Sequence, residues 1–268
     1  MANTACSVSL IYSAVVLIMT AIWVRAVRHK SFAFMAYAMY FPTAVAIIFS
    51  VFISGDFLQF LSRALVIQDL NHFFTVTQSM VYGALVDAGI IGGCAVVALA
   101  LKWGHYSNTS GQGAIHEHNR EMLSAFLRAA GEEIGWRSYL LPQLMSCYST
   151  AAALLISGVV WGLYHVPVMI LMVQQMKVRA RFATVLVQCL SCCLAAFPYG
   201  YVAVRCGYSV LPAAFTHFFW NRLNPLVLGS IYTNDNGMIV GEQWKINGEG
   251  LLGCIVSLPV VYAVVHGI

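Results

Sequence analysis

Three short stretches place ionisable and hydrogen-bonding side chains inside apolar surroundings: 131-GEEIGWRSYLLPQL-144, 157-SGVVWGLYHVPVM-169 and 209-SVLPAAFTHFFWNRLNPLV-227. In the first, Glu133 and Arg137 are four residues apart, as are Arg128 and Glu132, so opposite charges can meet on one helical face. Glu132 and Glu133 point about 100° apart, which lets one brace while the other faces a cavity. In the second, His165 lies deep in an apolar run with Trp161 one turn earlier. In the third, His217 and Asn221 are four apart and stack on one face. A carboxylate, two imidazoles and a carboxamide are the parts of a hydrolytic site. A base takes a proton from water, and fixed donors meet the charge that develops on the carbonyl oxygen.

The surroundings give these residues their weight. Hydrophobic residues make up 60% of the 268-residue chain and charged residues only 9%, against about 25% in a soluble domain. Mean hydropathy is +0.78. The composition describes an integral membrane protein, and the modest, dispersed net charge of +4 excludes a nucleic-acid surface. A charged side chain at the centre of a membrane helix costs roughly 2.5–3.5 kcal/mol. Arg128, Glu132, Glu133 and Arg137 would together cost on the order of 10 kcal/mol facing lipid, so they must pair or line a wet cavity. No serine or cysteine holds a comparable position: Ser157 precedes His165 by eight residues and Cys147 lies near a helix end. Water is therefore the expected nucleophile. Glu132, His165 and His217 would also suffice as a three-ligand zinc site with an open position, although His-Glu-x-x-His is absent.

About 20 apolar residues span a bilayer, and segments of that kind lie near 7–24, 31–54, 74–101, 150–173, 182–204, 209–230 and 250–267. Residues 121–145 are more polar but helical in pattern, which predicts about eight membrane helices in a single domain over residues 1–268. The segment 56-DFLQFLSRALVIQDL-70 is amphipathic and suited to an interface. With the N-terminus outside, the inside loops hold nine basic residues: Arg25, Arg28, Lys30, Lys102, Arg120, Lys177, Arg179, Arg181 and Lys245. The outside connections hold Arg63 and Arg205 alone, as the positive-inside rule requires. The sequon Asn108-Thr109-Ser110 falls in an inside loop and should carry no glycan. The first apolar run reads as a retained helix rather than a cleaved signal. Most of the eight cysteines sit within apolar segments, so neither a disulfide framework nor a zinc finger is expected. Asp87 is the one other acid well inside an apolar segment, and 231–249 is a mixed polar loop.

The blocks Glu132-Glu133-x-x-x-Arg137, Trp161-x-x-x-His165 and His217-x-x-x-Asn221, with their contexts GEEIGWR-x-Y-L-L-P, W-G-L-x-H-x-P and S-V-L-P-A-x-x-x-H, resemble the motif set of the CPBP family. This is the family of type II CAAX prenyl proteases and bacteriocin-processing proteins, which are glutamate-type intramembrane proteases. The resemblance covers roughly residues 125–227 and departs at Trp161, where many relatives have Phe. It implies an all-α polytopic bundle with an internal polar cavity open to the cytosol. By position, Glu132 would be the catalytic glutamate, His165 its partner in activating water, and His217 and Asn221 the oxyanion hole. Glu133, Arg137 and Trp161 would be supporting residues. The resemblance implies an endopeptidase without metal or cofactor, acting in the lipid bilayer on a peptide or lipidated protein such as a prenylated CAAX tail. The membrane would be the endoplasmic reticulum in a eukaryote and the plasma membrane in a bacterium. A non-proteolytic scaffold, a peptide-immunity protein and a zinc-dependent membrane protease are the competing readings. A transporter would need repeated halves, which the sequence lacks.

Overall fold

The computed structural model describes residues 2–30, 32–108, 121–176, 178 and 180–267. Arg120, Lys177 and Arg179 of the basic set, and Thr109 and Ser110 of the sequon, lie outside the described residues. The architecture is an all-α bundle: α1 (Ala2–Val27), α2 (Ala36–Ser54), the short α3 (Phe57–Leu65), α4 (Leu70–Ala100), α5 (122–145), α6 (Thr150–Gln175), α7 (Arg181–Arg205), α8 (Val210–Val227), the single turn α9 (Gln243–Ile246) and α10 (Leu251–Gly267). Two antiparallel ribbons stand at one end: β1 (Gly104–Tyr106) pairs with β4 (Ile239–Gly241), and β2 (Gly229–Ser230) with β3 (Asp235–Asn236).

Six helical stretches are long and apolar enough to cross a bilayer, namely α1, α2, α4, α6, α7 and α9–α10 taken together. The other two expected helices, α5 and α8, form but fall outside that set, although 209–230 reads in sequence as an ordinary apolar span. Their position explains the tolerance. Nearly every residue from Ala129 to Leu141 is buried, and α8 packs between α4 and α5. The two least apolar helices thus occupy the interior, and they carry both glutamates, one histidine and the asparagine.

Contacts between loops check the sidedness read from the basic residues. On the basic side, the Gln175 amide donates to the Arg28 carbonyl at 3.3 Å, and β1 from one inside loop pairs with β4 from another. On the opposite side, His72 meets the Cys206 carbonyl at 3.2 Å, and Cys6 is disulfide-bonded to Cys147. Every one of these contacts joins segments assigned to the same face. The disulfide runs against the expectation of no disulfide framework. Pairing across 141 residues of sequence arises only once α1 and the end of α5 meet, and periodicity carries no trace of it. A bond there requires that face to meet an oxidising compartment. Cys147→Ser is expected to lower stability by on the order of 2–4 kcal/mol, read as a lower thermal midpoint in detergent that reductant reproduces in the wild type.

Close helix approach fixes the position of α6. A side chain at Gly158 would come within 2.7 Å of the Cys193 carbonyl, and one at Gly162 within 2.6 Å of the Cys189 carbonyl. Small residues four apart let the α6 and α7 backbones touch, as in other membrane helix pairs. Trp161 and His165 are carried on this segment, so Gly162→Leu is expected to displace both. The variant should destabilise the protein by about 1–3 kcal/mol and lower activity more than the loss of folded protein explains.

The opposite end of α5 is held by aromatic packing. Tyr12, Phe49 and Phe60 meet Tyr139 at ring separations of 5.0, 6.5 and 5.6 Å, and Arg63 on α3 donates to the Ser138 carbonyl at 3.1 Å. Residues 56–70, expected at an interface, supply this cover through α3.

Candidate active site

Three helices bring the motif residues to one depth. Glu132 lies ten residues into α5, His165 ten residues before the end of α6, and His217 ten residues before the end of α8. At 1.5 Å per residue each is roughly 15 Å from the basic side. The helix changes character at this point: Met122–Glu133 is α-helical and Ile134–Leu140 is a π-helical stretch beginning directly after the paired glutamates. Such widened turns re-aim side chains and collect at functional sites.

Adjacent in sequence, the two glutamates have different partners. Glu133 is fully buried and accepts from His217 Nδ1 at 2.8 Å through Oε1, while its Oε2 lies 3.2 Å from Arg137 Nε. The Arg137 pair is a charge contact rather than an aligned hydrogen bond, because among the described residues none of the guanidinium nitrogens has an aligned acceptor. The guanidinium lies instead over Trp161 at 4.3 Å and near Tyr199 at 5.6 Å, a cation–π arrangement that strengthens away from water. Glu132, 2% exposed, accepts from Trp161 Nε1 through Oε2 at 2.8 Å. One glutamate is therefore tied to a guanidinium and an imidazole, and its neighbour is in no ion pair among the described residues. The i,i+4 partnership of Arg128 with Glu132 does not form. Arg128 reaches back 3.4 Å to Glu121, near the exposed start of α5 where water screens both charges.

The histidines are oriented through Nδ1. His165 donates from Nδ1 to the Trp161 carbonyl at 2.8 Å, which leaves Nε2 as an acceptor in the neutral ring. The Cys192 thiol lies 3.6 Å from the same Nδ1. His217, tied through Nδ1 to Glu133, likewise turns Nε2 inward. Asn221 is on the same face one turn along and half-buried, and its amide makes no hydrogen bond among the described residues. The tie to residues 228–249 comes instead from Asn224, which donates to Asn247 at 3.0 Å. Trp161 touches both imidazoles, at 5.9 Å from His165 and 5.6 Å from His217. Glu132, Glu133, Arg137, Trp161, His165 and His217 are thus joined by direct contacts, and Asn221 lies one turn from His217 without a hydrogen bond to them. Among the described residues, no three His, Cys, Asp or Glu side chains form a group able to hold a metal ion. Glu132 and His165 are bonded to the indole and the carbonyl of Trp161, and His217 to Glu133.

Sequence reasoning passed over several neighbours of the site. Tyr164, Tyr199 and Tyr232 have their hydroxyls in the field of the buried carboxylates, and the Gln188 amide donates to Tyr232 at 2.7 Å. Glu249, from the expected loop, accepts from Trp220 at 3.0 Å. In sequence, the only sign of it was an acid between two glycines in 247-NGEG-250. The segment 231–249 is ordered rather than loose, with Gln243 donating to the Leu228 carbonyl at 2.9 Å and Asn247 to the Gly229 carbonyl at 2.8 Å. A separate cleft of about 680 Å³, bordered by Trp103, Asn234 and Trp244, opens on the basic side and includes none of the motif residues.

Tryptophan at position 161 has a consequence phenylalanine would lack, since the indole donates to Glu132. Trp161→Phe should keep the packing and remove that hydrogen bond, lowering kcat about tenfold (roughly 1.4 kcal/mol) with KM little changed.

An integral membrane bundle that buries a glutamate–histidine–asparagine cluster at mid-depth defines the class. The family model for type II CAAX prenyl endopeptidase Rce1-like matches residues 121–223, the motif-bearing core of the chain. The match runs from α5 into α8, contains all seven residues, and stops before Glu249. No curated protein matches the chain.

Proposed function

We propose that the protein is an intramembrane endopeptidase in which Glu132 and His165 activate water. The carrying observation is the division of labour between adjacent glutamates: Glu133 is committed to Arg137 and His217, whereas Glu132 meets only the uncharged Trp161 indole and Tyr164 hydroxyl among the described residues. In this reading water binds between the Glu132 carboxylate and His165 Nε2, both acceptors, and gives a proton to Glu132 as its oxygen attacks the scissile carbonyl. His217, kept cationic by Glu133, donates from Nε2 to the carbonyl oxygen, and the uncommitted Asn221 amide adds a second donor. Arg137 balances the charge of Glu133 and, by lying over Trp161, fixes the indole that holds Glu132.

The substrate class follows the family: a prenylated CAAX tail, cleaved from the basic, cytosolic side, with the prenyl chain in the bilayer. His165 and Asn221 are the half-buried members of the cluster and mark the approach. In a cell that farnesylates proteins the membrane would be the endoplasmic reticulum, its lumen facing the Cys6–Cys147 bond. The test is mass-spectrometric detection of the released tripeptide from a farnesylated CAAX peptide and from its unprenylated twin. Release from the farnesylated peptide, at least tenfold faster than from the twin, supports the reading. Equal rates contradict the substrate class, and no cleavage of either contradicts the activity.

A further inference from the structure

On the basic side, a cleft of about 680 Å³ lies between the end of α4, the β1–β4 ribbon and α9, and its lining includes Lys102, Trp103, His105, Asn234, Val240 and Trp244. The packing under the ribbon gives it shape. A side chain at Gly241 would come within 2.9 Å of Ile246 and 2.7 Å of the Trp103 carbonyl, so one face of the ribbon is pressed against α9. In register, Gly241 is paired with Gly104 and Val240 with His105. Successive strand side chains point to opposite faces, which turns His105 and Val240 away from Ile246 and towards the cleft. The wall beyond is fixed as well: Asn236 accepts from the Gly241 backbone N–H at 3.2 Å and from the Gln243 amide at 3.4 Å. Glu242 is occupied by Lys245 at 2.9 Å and by the Trp244 indole N–H at 3.0 Å. Indole faces cover apolar and main-chain surface, and carboxamides both donate and accept. Such a lining suits an extended peptide.

The cleft adjoins the candidate active site. Trp244 and Tyr232 pack against one apolar cluster, Met169, Val173, Val187 and Ile231, and Met169 is one turn beyond His165 on α6. The Tyr232 ring lies 6.3 Å from the His165 ring, and Asn234 follows two residues later, at most about 7 Å along the chain. With the length of the tyrosine side chain added, the wall at Asn234 stands within about 20 Å of the imidazole, or roughly six residues of extended chain. A CAAX substrate has three parts to place. The prenyl chain lies in the bilayer, and the three residues beyond the scissile bond extend only about 10 Å. The polypeptide before the modified cysteine must leave on the basic side, and it alone has the length to span that distance and continue into the cytosol. We propose that the cleft is a binding subsite for this upstream segment, holding it extended against Trp103 and Trp244 while the cysteine it carries is presented to Glu132. This deepens the hydrolytic reading and rests on it. Binding energy gathered there is the same before and during bond cleavage, so it lowers KM and leaves kcat unchanged.

The experiment compares farnesylated peptides that carry two or ten uncharged residues before the cysteine. Wild type should show a KM at least about tenfold lower for the longer peptide, with kcat the same for both. Trp244→Ala should bring the two KM values to within about threefold of each other, and Trp103→Ala, at an exposed position, should do the same. Folding of each variant is checked by thermal unfolding; if Trp244→Ala does not fold, Trp103→Ala is read alone. Equal KM values for the two lengths in wild type, or a length advantage that survives in the folded Trp variants, would overturn the subsite. A loss that strikes both lengths alike, leaving their ratio unchanged, would do so too. In each of these cases, cleavage by wild type and its absence in Glu132→Gln would leave the hydrolytic reading standing. A wild type that cleaves neither peptide would overturn both.

Discussion

Glu132→Gln is expected to lower kcat for peptide hydrolysis by at least about 10³-fold, combining loss of the base with loss of the charge that holds water. The fold should survive, because the amide oxygen still accepts from Trp161 at the position Glu132 Oε2 now occupies. No other charged side chain is ion-paired to Glu132 among the described residues, so no buried cation is stranded. The thermal midpoint should stay within a few degrees of wild type and KM should change little. Activity assays alongside thermal unfolding in the same detergent check this. A Gln variant with substantial activity would assign the proton transfer to another group, His165 being the nearest alternative.

Glu133→Gln is expected to fail differently, although it changes the adjacent residue by the same few atoms. Glu133 faces Arg137 and His217, all three with side chains at most 9% exposed. Removing its charge leaves a guanidinium with no counter-ion in the interior, a loss typically of about 3–5 kcal/mol. It also releases His217, whose Nδ1 bond to Glu133 sets its orientation. The variant should therefore lose folded stability and activity together. Arg137→Met, which removes the stranded cation, should restore part of the stability in the double variant but none of the activity. A double-variant series on thermal midpoint and kcat measures the coupling. If Glu133→Gln were stable and inactive while Glu132→Gln were unstable, the roles of the two glutamates would be exchanged.

Much of this was legible in the sequence, for a physical reason. Charge is so expensive in apolar surroundings that Glu132, Glu133 and Arg137 announce a shared interior site by residue type and setting alone, and the same cost marks His165, His217 and Asn221. The Glu133–Arg137 contact was readable because it lies within one helix, where spacing implies proximity. Spacing also misleads when a second partner is available. Arg128 sits four residues before Glu132 yet turns to Glu121, since the start of α5 offers water and Glu132 does not. Contacts between distant segments left little trace: the Cys6–Cys147 bond, the Gln188–Tyr232 hydrogen bond and the placement of Glu249 all depend on how helices pack. The close α6–α7 approach was readable in principle from Gly158-x-x-x-Gly162, a spacing that matters only once a facing helix is known.

The measurement that tests the central claim most directly is hydrolysis of a farnesylated CAAX peptide by purified wild-type protein and Glu132→Ala, each with and without a strong chelator. A metal-free, glutamate-activated water predicts wild-type activity unchanged by the chelator and none in Glu132→Ala under either condition. Wild-type activity abolished by chelator and restored by zinc would contradict it, placing Glu132, His165 and His217 around a metal instead.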